Sequence, residues 1–338
     1  MGSTMKTMHI VAAIALVLIL AVSGYILQGG SKRELKIFHA GSLNLMLAEA
    51  EEKYEAEHSG VDIMREASGS IMAVRKISDL GKKADLVMVA DVSVIQAYLV
   101  PKYADWSIVF ASNEVVLAYT DKSKYASEIN GDNWYEVLMR EGVKFGFSNP
   151  NLDPCGYRSL AALYMASKYY GRTDVWTQLV KLYIRNVGVE ENATGTYILF
   201  PASIDYVSGE KLVLRDKSVE LVQLLESGVL DYAFEYRNVA EEHGLKYVEL
   251  PKDFSLSRPP SFNVYVVLYH GDQKRERTIK IDMIRYGLTI PLNAENPDAA
   301  KNFVKWLLHD EGSQIIEKHG FILVKPTFIG NVPGDLRG

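Results

Sequence analysis

The chain has 338 residues, of which 48% are hydrophobic and 23% charged, with a formal net charge of -5. That is the balance of a globular protein long enough for two domains. Its mild acidity excludes a general attraction to nucleic acid or anionic membranes, and its single cysteine excludes an intramolecular disulfide. Lys6 and His9 precede an apolar run from Ile10 to Val22, followed by Ser23, Gly24 and a Gln-Gly-Gly-Ser-Lys linker. Residues 1–30 therefore read as a secretory signal. Continued through Leu27, the run approaches the ~18 residues that span a bilayer, so a retained N-terminal anchor is the other reading. Both place the protein outside the cell, secreted or held at the outer face of the membrane. No cysteine follows the run, which excludes a lipid anchor on an N-terminal cysteine.

After the linker, strands and helices alternate. Leu35 to Ala40 reads as a strand, and Gly41-Ser42 opens a helix to about Glu57, with Leu43, Leu47, Ala50 and Tyr54 at helical spacing and Ser42 as N-cap. Val61 to Ala67 is a strand ending in Ser68-Gly69-Ser70, and a helix from Ile71 to Leu80 follows. Asp85 to Ala90 is an apolar strand leading into a helix over Val92 to Val100. This alternation predicts a mostly parallel sheet with helices on both faces. Ile108 to Thr120 reads as one long extended stretch able to carry the chain between lobes. A helix over Asn133 to Glu141 and a strand over Val143 to Phe147 lead into the loop Ser148 to Ser159.

Helices are expected over Gly156 to Tyr170 and Asp174 to Arg185, and an irregular surface segment over Gly188 to Lys211. Then come a helix over Val219 to Glu226, a strand over Leu230 to Tyr236, a short helix over Val239 to His243 and a strand over Tyr247 to Leu250. Asn263 to Tyr269 and Thr278 to Thr289 read as extended, around a polar turn over His270 to Arg277. Helices over Asp298 to Leu308 and Glu311 to Lys318 precede a last strand over Phe321 to Val324.

Three segments share one layout, a strand, a tight turn and a helix start: Ala40-Gly41-Ser42, Ser68-Gly69-Ser70 and Asp153-Pro154-Cys155. In open α/β sheets ligands lie off the carboxyl ends of strands, where such turns gather. Hydroxyls, free N–H groups and helix N-termini meeting at one place suit an oxyanion. Asp153 before Pro154 is also a plain helix-start signal, and serine is a common N-cap. An enzymatic reading makes Cys155 the nucleophile of a cysteine-dependent hydrolase, with His39 among the seven histidines available as base. No cysteine-hydrolase signature surrounds Cys155, no Cys/His pair has zinc-ligand spacing, and no Gly-x-Gly-x-x-Gly or phosphate-loop motif occurs. No cofactor is expected.

His39-Ala40-Gly41-Ser42-Leu43, the Ser68-Gly69-Ser70 turn, the block Asp153 to Ser159 and Leu230 to Arg237 occur in this order in a known family. The chain resembles the archaeal molybdate/tungstate-binding proteins of ABC transporters over about Glu34 to Thr327. That resemblance implies a non-enzymatic extracellular receptor with the two-lobed, type II periplasmic-binding-protein-like α/β fold, each lobe a mixed sheet flanked by helices. The implied division is a first lobe over 34–118 and 280–328, a second over 119–279 and a tail over 329–338. The oxyanion would lie between the lobes, held by Gly41, Ser42 and Ser70 from the first and by Asp153, Pro154, Cys155 and Tyr236 from the second. The implied partners are molybdate or tungstate and a membrane permease, with no nucleic acid, the receptor being a monomer. A binding protein for another oxyanion, such as sulfate or thiosulfate, is the alternative. In this family Asp153 would approach the metal atom of the oxyanion rather than its oxygens. A second carboxylate, a glutamate after a lysine, does the same in relatives. Here Lys217 is followed by Ser218, and the nearest acid, Glu220, stands two positions on and off that helix face.

Overall fold

A computed structural model describes residues 32–207, 211–270 and 274–337. The apolar segment expected to be a signal or anchor lies outside the described residues. Among those described, no helix is long and apolar enough to cross a membrane.

The first sheet has six strands, in the order β15 (Ile322–Gly330), β4 (Trp106–Ser112), β14 (Tyr286–Thr289), β3 (Leu86–Val89), β1 (Arg33–Ala40) and β2 (Val61–Ser68). Strand β1 runs parallel to both β2 and β3, and Ala40 is level with Ser68. The turns that follow β1 and β2 therefore leave the sheet at the same height. All four residues of β3 are buried, as a continuous apolar run in a sheet covered on both faces requires. The helix Asn44–Glu57 buries Leu47, Ala50 and Tyr54 of the expected stripe and Met46 beside them, while Leu43 is buried in the turn before it.

The second sheet has the order β11 (Lys246–Glu249), β5 (Val115–Tyr119), β10 (Tyr232–Tyr236), β6 (Phe145–Ser148) and β9 (Leu212–Arg215). Here β10, β6 and β9 are mutually parallel, so their carboxyl ends also share one edge. The expected stretch from Ile108 to Thr120 is two strands, β4 in the first sheet and β5 in the second, broken at Asn113 and Glu114. Both strands are almost wholly buried, so hydrophobicity carried no sign of the break. Asn113 marks it: its amide nitrogen donates to Asn238 Oδ1 at 2.8 Å, and its carbonyl oxygen accepts from the Glu114 amide at 2.9 Å.

A third sheet was not expected. Its order is β13 (Lys274–Lys280), β12 (Val264–His270), β8 (Gly195–Phe200) and β7 (Gly188–Asn192). Most of the segment read as irregular thus forms a hairpin, in which Thr196, Ile198 and Phe200 alternate inward. The polar outer residues of β7 hid that alternation. Residues 274–277 of the expected turn belong to strand β13, and the stretch from Thr278 to Thr289 is split between β13 and β14. The helix expected over 174–185 shortens to Thr173–Trp176 with a wider turn over Thr177–Lys181. The last strand is longer than expected, ending at Gly330.

Candidate functional site

Carboxyl ends of parallel strands from the first two sheets face each other, and the turns after them meet. Gly69 shows how closely. Its φ of -63° and ψ of 147° suit any residue, yet a Cβ there would stand 2.3 Å from the Leu152 carbonyl oxygen. A Cβ on Gly41 would stand 3.0 Å from Val219 Cγ2. Glycine in these turns serves close approach of one lobe to the other.

Around this contact the polar groups form a chain of bonds. The Ser42 hydroxyl is 2.9 Å from the Tyr286 hydroxyl, and the Tyr286 ring lies 5.9 Å from that of Tyr236. Arg158 Nη1 donates to the Tyr236 hydroxyl and to the Ala90 carbonyl, each at 2.7 Å. The Ala90 amide in turn donates to the Ser70 hydroxyl at 3.0 Å. On the other side, Asp153 accepts from the Cys155 amide at 3.3 Å and from the Ser218 amide at 2.9 Å. Asn238, on the short helix after β10, donates to the Ser42 carbonyl at 2.8 Å. Ser42 is thus no N-cap as expected; its helix enters through a tight turn over Gly41–Leu43, and the hydroxyl is turned to Tyr286. Ser70 opens the helix Ser70–Ser78 instead of preceding it.

Charge is arranged so that the Arg158 guanidinium is fully engaged. Arg158 Nη2 lies 3.2 Å from Asp91 Oδ2, which also accepts from the Tyr157 hydroxyl at 2.5 Å. Burial works against the Asp91 charge, but Arg158 and Arg277 outweigh it and hold the carboxyl below its ordinary range. Burial raises the Asp153 carboxyl above the usual carboxylate range, and the amides of Ser218 and Cys155 oppose that rise. Glu235 is fully buried beside these groups, and neither of its oxygens completes a hydrogen bond. Burial pushes its carboxyl well up; the Ser218 hydroxyl is close enough to oppose this, and Asp153 adds to it.

Cys155 is not built as a nucleophile. Its thiol is fully buried, 3.7 Å from the Phe234 carbonyl, and burial together with Glu235 and Asp153 raises it well above the ordinary thiol. His39, the base that reading needs, is also buried; burial lowers it to about 4, and its Nδ1 is engaged by the Ala40 carbonyl at 2.9 Å. Pro154 stands in the first turn of the helix Pro154–Tyr169, as its sequence position predicts. Gly41, Ser42, Ser70, Asp153, Pro154, Cys155, Ser218 and Tyr236 all lie around the inter-lobe contact. Glu220 does not: it faces outward, 3.4 Å from Lys217 Nζ. Sequence reading missed Glu235, Arg158, Tyr286 and Asn238 as members of this cluster. Arg158 and Glu235 sat inside quoted motifs, and a charged residue in an otherwise apolar strand such as β10 was the available signal.

A second contact bridges the lobes farther out. His319 Nδ1 lies 2.7 Å from Glu242 and its Nε2 3.0 Å from Glu49, with Lys318 also paired to Glu49 and His243 near Glu242. Glu242 belongs to the helix after β10, whereas Glu49 and His319 pack with the first sheet. Glu242 and then Glu49 raise the imidazole above the ordinary histidine value of 6.5. A raised histidine stabilises the fold fully below its unfolded pKa, and that contribution is lost as pH climbs through the folded value. Buried Glu242, also raised, has the same sign, whereas Glu49, held low by Lys318, loses its share only in acid. His319→Gln should therefore melt below the parent, by on the order of 2 °C, at pH 5.5, with the gap closing by pH 8.5. Melting curves across that range check it, and a gap that widens with pH would refute the bridge.

The profile of the bacterial extracellular solute-binding proteins matches residues 35–322. A solute-binding protein of Methanococcus maripaludis, itself uncharacterised, is 42% identical over 98% of this chain and 97% of its own. The molybdate/tungstate-binding protein WtpA of Pyrococcus abyssi is 43% identical over 92% of this chain and 90% of its own. Among solved structures, the periplasmic molybdate-binding protein of Azotobacter vinelandii superposes with a TM-score of 0.57 at 15% identity, covering 86% of this chain and all of that one. At that identity the likeness is one of fold, and the fold is the two-lobed α/β architecture expected above. The chain belongs to the family of bacterial extracellular solute-binding proteins.

Proposed function

We infer that this protein captures molybdate or tungstate outside the cell and delivers it to the permease of an ABC transporter. The observation that carries this reading is the cluster at the inter-lobe contact. Serine hydroxyls and turn amides from both lobes meet there off the carboxyl ends of parallel strands, the arrangement suited to an oxyanion. The Pyrococcus abyssi relative, named for these two ions, supports the choice of ligand. Gly41, Ser42 and Ser70 would serve the oxygens from the first lobe, and Pro154, Cys155 and Tyr236 from the second, Cys155 through its backbone. Asp153 would address the metal atom, which resolves the presence of an acid in an anion pocket. We take the lobes to divide where the chain changes sheets, at Asn113 to Glu114 and between β13 and β14, rather than after 118 and 279. The receptor would act as a monomer held at, or released from, the outer membrane face by its N-terminal segment.

Calorimetric titration of the exported part with tungstate, molybdate, sulfate and phosphate tests the reading. Tungstate and molybdate should bind tightly and the smaller sulfate and phosphate at least about 100-fold more weakly, a difference of ~2.7 kcal/mol. Preference for phosphate, or no binding of any of the four, would sink it.

A further inference from the structure

We propose that the molecule carries a second anion site, separate from the inter-lobe cluster, for a small, doubly charged oxyanion such as sulfate or phosphate. It lies beside the segment that returns the chain from β13 to the first sheet, against a cavity of about 230 Å³. Three parts of the fold wall this cavity. Asp91 to Ser93 come from the first lobe, Tyr157 and Arg158 from the second, and residues 277–283 with Arg285 from the joining segment. The inference does not depend on which ion binds between the lobes.

The chain as a whole is acidic, with a net charge of -5. Yet four cationic side chains line the cavity, Arg158, Arg277, Lys280 and Arg285, against two carboxylates, Asp91 and Asp282. Both carboxylates are already engaged. Asp91 Oδ1 accepts from the Ser93 amide at 2.8 Å, and its Oδ2 serves Tyr157 and Arg158. Asp282 Oδ1 accepts from the Met283 amide at 2.7 Å, and its Oδ2 lies 3.5 Å from Arg285 Nη2. Arg277 and Lys280 are left without a carboxylate in contact. Arg277 Nη2 donates to the Ser93 hydroxyl oxygen at 2.9 Å, and its guanidinium carbon lies 5.4 Å from the centre of the Tyr98 ring. Its Nη1 is buried and has no hydrogen-bond partner. Lys280 is exposed, and its ammonium has no hydrogen-bond or ion-pair partner among the described residues.

A buried charged donor without an acceptor is costly, and two uncompensated cations at one cavity repel each other. A dianion relieves both costs. One oxygen takes the Arg277 Nη1 proton and another the Lys280 ammonium, each as a charge-assisted bond. The Ser93 hydroxyl, whose oxygen accepts from Arg277, keeps its own proton for a third. Chloride cannot serve separate donors in this way, and a neutral solute gains nothing from the charge. The buried side chains of Ile279 and Ile281 on the same wall keep the local dielectric low and strengthen these bonds. The volume suits a tetraoxo ion with some of its water, each water taking about 30 Å³.

Equilibrium dialysis with radiolabelled sulfate tests the site, at constant ionic strength set by chloride and with one equivalent of tungstate present. The parent should take up one sulfate per chain with a Kd of about 1 mM or tighter. Arg277→Met and Lys280→Met should each weaken uptake by at least about tenfold. Lys280→Met alters an exposed side chain and should melt as the parent does, so its loss of sulfate is not a loss of fold. Ser42→Ala, at the inter-lobe contact, should leave sulfate uptake unchanged. That comparison needs no tungstate, so a failure of the oxyanion reading is told apart from a failure here. No uptake by the parent, or equal uptake by the parent and both methionine variants, overturns the proposal. Uptake lost in Ser42→Ala also overturns it, by placing the sulfate between the lobes.

Discussion

Asp153→Ala should lose both affinity and stability, and the two losses come from different atoms. One Asp153 carboxylate oxygen caps the first turn of the helix Pro154–Tyr169 and the other holds the Ser218 amide. Loss of the cap costs about 1 kcal/mol. Orphaning the buried Ser218 amide adds a further 1 kcal/mol or so. The melting temperature should fall by roughly 5 °C. Tungstate affinity should fall much more, about 1000-fold or ~4 kcal/mol, because the metal-directed donor is gone and the Ser218 turn is no longer held. Asp153→Asn separates the roles. Its carbonyl can still cap Cys155, but its amide nitrogen then faces the Ser218 N–H, donor against donor, so stability returns in part and affinity does not. Calorimetry of unfolding and of tungstate binding on the same samples decides the matter. If Asp153→Ala melts early but binds as the parent does, the carboxylate is a cap and nothing more.

Much of the site was legible in the sequence because it is written in turns. Gly41-Ser42, Gly69-Ser70 and Asp153-Pro154 each announce a strand ending and a helix starting, and the alternation of elements places all three at sheet edges. Asp153 was readable as a cap, and it is one. What the serines bond to was not readable. Both were assigned to their own helices, whereas Ser42 reaches Tyr286 and Ser70 the Ala90 amide, partners 244 and 20 residues away. Such choices depend on which lobe stands opposite, a property of the assembled fold and not of local propensity. The same limit hid Glu235. In sequence it is one acid in a strand next to a tyrosine of interest; only burial against Asp153 and Ser218 makes it unusual. Hydrophobic periodicity failed where burial is uniform, merging β4 with β5, and where one face is solvated, dissolving the β7–β8 hairpin into a surface loop.

Gly69→Ala should abolish high-affinity binding without unfolding the protein. The backbone at 69 is already in the extended region that alanine favours, so the first lobe bears no strain from the change. The conflict lies entirely across the contact: the new methyl would meet the Leu152 oxygen at 2.3 Å and the Leu152 carbonyl carbon at 3.0 Å. A carbonyl in the backbone cannot rotate away as a side chain does, so the Leu152–Asp153 turn must retreat by about 1 Å to restore van der Waals contact. That retreat carries Asp153 and, through its carboxylate, the Ser218 amide away from Ser42 and Ser70. A misplacement of this size in a preorganised site costs about 100-fold. Gly41→Ala is the control. Its methyl would meet a Val219 side-chain methyl at 3.0 Å, which yields by small adjustments, so the loss should stay below about tenfold. Titration with tungstate measures both, and small-angle X-ray scattering in saturating tungstate should give Gly69→Ala a larger radius of gyration than the parent. Parent-like affinity in Gly69→Ala would mean that the lobes bind the ligand without the Gly69–Leu152 contact, and the assignment of this interface as the site would fail with it.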